Sequence, residues 1–121
     1  MKIVFSTESD NLNSPLDRRF GRAAYLLLYD LEHDSFEAIE NRQNLNAAQG
    51  AGIQAAETTA RLGASALITG GHCGPKAFRV LTAAGIDVFA TDAATAAQAL
   101  ELYRSGKLTR LHSENVAGHW T

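Results

Sequence analysis

Residues 63–78 read GASALITGGHCGPKAF, and the order of residue types in this stretch decides the architecture. Residues 66–69 form an apolar run too short for a helix and fenced by glycines, which reads as a buried strand. Pro75 suits a first helical position, where its missing N–H costs nothing. Behind it Ala77, Phe78, Leu81 and Ala84 recur at helical spacing until Gly85 stops the pattern. A strand that enters a helix through a glycine-rich turn is half of a βαβ unit. Residues 86–90, IDVFA, supply the second strand, so the crossover should be right-handed and the pairing parallel.

The same logic extends in both directions. Upstream, Ile53, Ala56, Ala60 and Leu62 suit one helical face, closed by Gly63. Downstream, Asp92 is the expected N-cap of a last helix with Ala96, Ala97, Leu100 and Tyr103 as its stripe, ending near Gly106. Residues 2–7, KIVFST, read as a buried strand, and residues 23–30 and 35–40 as an antiparallel hairpin around LEHD. Polar loops fill 8–21 and the Asn- and Gly-rich stretch before residue 53. The order is βββαβαβα: one α/β domain over 1–106, then a polar tail, 107–121, expected to be loosely held with Trp120 as its one docking residue.

Composition narrows the function classes. A net charge of −2 gives no general drive toward nucleic acid or an anionic membrane. No apolar run approaches the ~20 residues that span a bilayer. The N-terminus turns polar after five residues, unlike a signal peptide. One cysteine permits no internal disulfide and fits a reducing cytoplasm, so the expected location is cytoplasmic.

The loops after Thr7, Glu40, Thr69 and Ala90 should emerge at one end of the sheet. A topological switch point there opens a crevice at the carboxyl ends of the strands. Its walls are residues 68–78, ITGGHCGPKAF, and the facing stretch 14–25, SPLDRRFGRAAY. Gly70, Gly71 and Gly74 allow close backbone approach to a ligand. The following helix start favours an anion, and Lys76, Arg18, Arg19 and Arg22 add positive charge. Cys73 beside that helix start should have a lowered pKa, with His72 as a second metal ligand. This set suits an anionic, thiophilic cargo such as a metal–sulfur cluster. Two readings of Cys73 stand at this point, a ligand or a small buried hydrophobe. The arginines have two as well, since they could pair with Asp17 and neighbouring acids. His33, His112 and His119 read as solvated.

The stretches SPLDRRFGRAAY (14–25), GAGIQAAE (50–57), GASALITGGHCGPKAF (63–78) and LTAAGIDVF (81–89) together resemble the dinitrogenase iron–molybdenum cofactor biosynthesis family, which includes NifX, NafY and the C-terminal domain of NifB. The resemblance covers about residues 2–105. It implies a ribonuclease H-like α/β fold: a five-stranded mixed sheet of order 3-2-1-4-5, strand 2 antiparallel, flanked by helices. It implies a carrier, not an enzyme, for molybdenum- or iron-containing sulfide clusters, acting between cluster donor and acceptor proteins. Some stand-alone members are associated with P-loop ATPases of the iron–sulfur assembly type. By position, Arg19, Phe20, Gly21 and Arg22 match the first motif, Gly50 and Gly52 the second, and Gly70, Gly74, Pro75, Ala77 and Phe78 the third. Cys73 stands where only some members have cysteine, and Gln49 where some have histidine.

One thiol cannot hold a four-thiolate iron–sulfur cluster, so a cargo held loosely, by a monomer or shared in a homodimer, is the leading expectation. Two alternatives stay open. Cys73 with His72 as base could serve a small-molecule enzyme, or the chain could be an interaction module for an ATPase. A phosphate-binding GxxxxGK[ST] loop is absent from the sequence.

Overall fold

A computed structural model of the protein describes residues 1–41, 50–71 and 73–111. Five strands, β1 (Lys2–Thr7), β2 (Tyr25–Asp30), β3 (Ser35–Glu40), β4 (Ala66–Thr69) and β5 (Asp87–Ala90), form one sheet in the order β3-β2-β1-β4-β5. The strand β1 is antiparallel to β2 and parallel to β4, with Val4 opposite Leu28 on one side and Leu67 on the other. The pairs β2–β3 and β4–β5 are antiparallel and parallel. The order is the one that the sequence resemblance implies.

Alternation along the strands builds two cores, because successive side chains point to opposite faces. Val4, Leu26, Leu67 and Val88 face α1 (Ala51–Arg61) and α2 (Pro75–Ala83), meeting Ala55, Ala56, Ala77, Phe78 and Leu81. Ile3, Phe5, Leu27, Ala66 and Ile68 face α3 (Ala96–Arg104), meeting Ala96, Ala99 and Leu100. Residues Ile3 to Thr7 are therefore buried from both sides, as their unbroken run of strand-forming residues anticipates.

Element ends differ from the sequence expectation in instructive ways. The hairpin strand starts at Tyr25, not at residue 23. The first helix begins two residues before Ile53, entered through Gly50 at φ +83°. Ala84 ends up exposed, since it lies past the last turn of α2. Thr95, not Asp92, caps α3: its Oγ1 accepts from the Gln98 N–H at 3.2 Å, while Asp92 is exposed. The tail begins docked, not loose. Leu111 N–H donates to Val88 O at 2.8 Å, Arg110 bridges to Phe89, and the Arg110 guanidinium reaches Asp87 at 3.1 Å. The expected loop histidine substitute Gln49, and the tail residues His112, His119 and Trp120, lie outside the described residues.

Candidate functional site

The carboxyl ends of β1 and β4 meet at the centre of the sheet, but the crevice expected there is filled by the chain itself. Residues 8–18 fold across it. Leu16 bridges to Thr7, Asp17 N–H donates to Ser6 O at 2.9 Å, and Gly70 N–H donates to Asp17 O at 2.9 Å. Beneath them the Ser6 hydroxyl donates to Thr69 Oγ1 at 2.9 Å, both side chains fully buried.

This changes the meaning of two glycines. A Cβ on Gly70 would sit 2.8 Å from Asp17 O, and one on Gly71 would sit 2.9 Å from Arg18 O. Their missing side chains make room for the 16–18 segment, so their nearest neighbour is protein backbone and not a cargo. Gly74 is different: nothing lies within 4 Å of its would-be Cβ.

The open space lies one step outward, between the first turns of α1 and α2. It is a groove of about 490 Å³ lined by Gly50, Gly52, Ile53, Gly74, Pro75, Lys76 and Ala77. That volume falls in the ~300–1,000 Å³ range usual for small-ligand sites. The two helices come close here because their facing residues are small, with a Cβ on Gly52 only 3.4 Å from that of Ala77. The opening N–H groups of each helix have no intrahelical acceptor, and among the described residues no side chain caps either end. Both macrodipoles therefore place positive potential at one groove.

Exposed cations stand around it. Lys76 lines the groove, and Arg18 is the residue against which Gly71 packs. Arg19 and Arg22 flank the 3-10 turn Phe20–Arg22, whose Gly21 rests on the backbone of Ala51 and Gly52. Among the described residues no recorded ion pair joins Arg18 or Arg19 to Asp17, whose carboxylate accepts from the backbone N–H of Arg19 at 2.9 Å. None of the ion pairs recorded among the described residues engages Arg18, Arg19 or Lys76.

Two expected ligands prove to be core residues. Phe20 is 1% exposed and packs under α1 and α2, so its ring supports the arginine turn and cannot meet cargo. Cys73 is 2% exposed in the same apolar cluster as Phe20, Ala77 and Phe78. Burial pushes its thiol up to about 12, the reverse of the lowered value expected beside a helix start. Desolvation of a thiolate outweighs the attraction of a helix terminus when water is excluded. A thiol raised in this way stays protonated at neutral pH and would have to be both exposed and deprotonated to meet a metal. His72 lies outside the described residues. Among those residues, no group of three or more His, Cys, Asp or Glu gathers to hold a metal ion.

Ile53 lines the groove although its sequence pattern marked it only as a helix-face residue, and Ala77 lines it beside the motif residues Gly74 and Pro75. The signal was present in another form: two helices each open on a glycine, and an antiparallel hairpin before α1 brings both openings to one end. A second cavity of about 360 Å³ lies between α2 and β5 at Phe78, Thr82, Ile86 and Arg110. Its arginine is already engaged by Asp87, which leaves it less suited to an anion.

The surroundings of this groove can be compared with known proteins. The apo form of the orange protein from Desulfovibrio gigas is 35% identical, superposes with a TM-score of 0.88, and covers 93% of each chain. A Thermotoga protein put forward as a NifB protein is 28% identical with a TM-score of 0.79, covering 91% of this chain and 92% of its own. An uncharacterised protein of Methanocaldococcus jannaschii is 31% identical over 113 residues, 91% of each chain. The dinitrogenase iron–molybdenum cofactor family model matches residues 1–106, and the chain belongs to that family.

Proposed function

We propose that this protein binds a preassembled, anionic metal–sulfide cluster in the groove between α1 and α2 and hands it on, the cluster being cargo and not a resident cofactor. Family membership supports a role in handling clusters related to the iron–molybdenum cofactor. The finer reading, a carrier between donor and acceptor proteins, rests chiefly on one observation. Two helix starts, without a side-chain cap among the described residues, and the Lys76 ammonium converge on one open groove, with Arg18 and Arg19 exposed nearby.

The donor set fits a cluster held from outside better than one ligated by the protein. Backbone N–H groups and cations recognise the sulfide and oxide surface of an anion. The buried thiol of Cys73 and the lack of a gathered ligand set among the described residues supply no coordination shell. Weak outer contacts of this kind also permit release, which a carrier needs. A related structure described as an apo form is in keeping with a protein that takes up a group and gives it away. The enzyme alternative draws no support from Cys73, which is buried and protonated.

The test is an anaerobic titration of the full chain with tetrathiomolybdate, followed by visible absorption and by equilibrium dialysis with metal analysis. Saturable binding that weakens as salt rises is expected, because charge contacts are screened within about 10 Å at 0.1 M. Molybdate carries the same charge on a smaller oxide surface, so titrating it in parallel separates charge recognition from recognition of the larger sulfide anion. Absence of saturable binding to tetrathiomolybdate at low ionic strength would remove the proposal.

A further inference from the structure

The contact between the 3-10 turn and α1 is tighter than packing alone demands. A Cβ on Gly21 would lie 2.6 Å from Gly52 N, 2.7 Å from Gly52 Cα and 3.0 Å from Ala51 C. All three are backbone atoms at the first turn of α1, so no side-chain rotation could relieve the clash. Gly21 has no positive φ that would call for glycine on conformational grounds. Its lack of a side chain serves proximity alone. Gly52 continues the series, its own would-be Cβ reaching Ala77 of α2 at 3.4 Å. The arginine turn, the start of α1 and the start of α2 are thus stacked through Gly21, Gly52 and Ala77. Phe20, buried beneath, anchors the turn from the other side.

We infer that Gly21 is a positioning residue: it fixes the distance between the turn bearing Arg19 and Arg22 and the helix-start N–H groups of the groove. This rests on the groove being the cluster site. A side chain at position 21 would lift the turn away from Gly52 while leaving Lys76, on α2, where it is. The binding site would then lose its arginine flank but keep its lysine flank.

The experiment compares Gly21→Ala with wild type and with Gly63→Ala. Gly63 lies at the far end of α1 at φ +78° with open space around it, so its substitution strains the backbone without touching the groove. The probe is tetrathiomolybdate, titrated at several salt concentrations, with urea melts in parallel. Gly21→Ala should weaken binding by roughly tenfold or more and flatten its salt dependence, while Gly63→Ala is destabilised yet binds like wild type. Equal affinity and an equal salt slope in Gly21→Ala and wild type would overturn the inference while leaving the carrier reading intact. Failure of the wild type to bind overturns the carrier reading itself, and the inference with it. Should Gly21→Ala not fold, the nuclear Overhauser contact between the Gly21 α-protons and the Gly52 amide proton decides in wild type. Its persistence through the titration supports a fixed seat, and its loss on adding the probe refutes one.

Discussion

Replacing Cys73 by serine tests how the site is built, because the two atoms differ little in size and greatly in cost of burial. The side chain is 2% exposed among Phe20, Ala77 and Phe78. A hydroxyl left there without a partner costs about 1–3 kcal/mol. Alanine removes the sulfur and leaves a small void, for about 1 kcal/mol. In a domain of this size, each kcal/mol moves Tm by about 3–5 °C, so Cys73→Ser should melt roughly 3–15 °C lower, with Cys73→Ala toward the small end of that range. The pH dependence adds a second signature. The native thiol stays protonated until about 12, whereas the unfolded one ionises near ~8.5. Above ~8.5 the native state therefore binds more protons than the unfolded state, and stability falls as pH rises toward 12. At pH 10 this contribution has cost wild type about 2 kcal/mol, which Cys73→Ala does not lose. Tyr29 and Tyr103 are also raised, chiefly by the Asp34 hydrogen bond and by burial respectively, but both proteins carry them and they cancel in the difference. Urea melts of the two proteins between pH 7 and 10 measure it. Parallel stability curves, a serine variant as stable as wild type, or thiol labelling of the native protein as fast as that of a free peptide would refute the burial argument.

Glycine substitutions should separate packing from groove. Gly70→Ala and Gly71→Ala push into the carbonyl oxygens of Asp17 and Arg18, and should cost about 1–3 kcal/mol, seen in urea melts and in faster proteolysis of residues 8–18. Gly74→Ala meets nothing within 4 Å and should stay within about 0.5 kcal/mol of wild type. Thr95→Ala removes the cap on the Gln98 N–H and should cost about 1 kcal/mol, while Asp92→Ala is near neutral in the same melts. Arg19→Ala with Lys76→Ala should weaken tetrathiomolybdate binding and reduce its salt slope with little change in Tm, since neither side chain is in an ion pair recorded among the described residues.

The fold was legible where local chemistry and tertiary packing agree. Residues 2–7, 66–69 and 75 onward carry strand, strand and helix-start signals that nothing in the core opposes, and they form as read. Asp92 looked like the cap of α3, but the helix starts where its apolar face meets the sheet, and Thr95 is the residue placed there. The site was half legible. Residue types gave the cationic character and the start of α2 at Pro75, whereas pairing across the loops decided which glycines face the groove. Gly70, Gly71 and Gly74 are equivalent in sequence. Only the crossing of residues 16–18 over the strand ends distinguishes the first two from the third. The lowered pKa expected of Cys73 fails for a related reason. A Gly-rich setting suggests exposure, yet Phe20, more than fifty positions earlier in the chain, packs from the other loop and closes the thiol off. Long-range coverage of that kind leaves no local signature.

The central claim is a place as well as an affinity, and an amide-resolved nuclear magnetic resonance titration of the isotopically labelled chain with tetrathiomolybdate tests both at once. The account predicts that the largest shifts fall on Gly52, Ile53, Lys76 and Ala77, at the starts of α1 and α2, with smaller ones on Arg18 and Arg19. Shifts centred instead on Thr82, Ile86 and Arg110, or none at saturating probe, would contradict it.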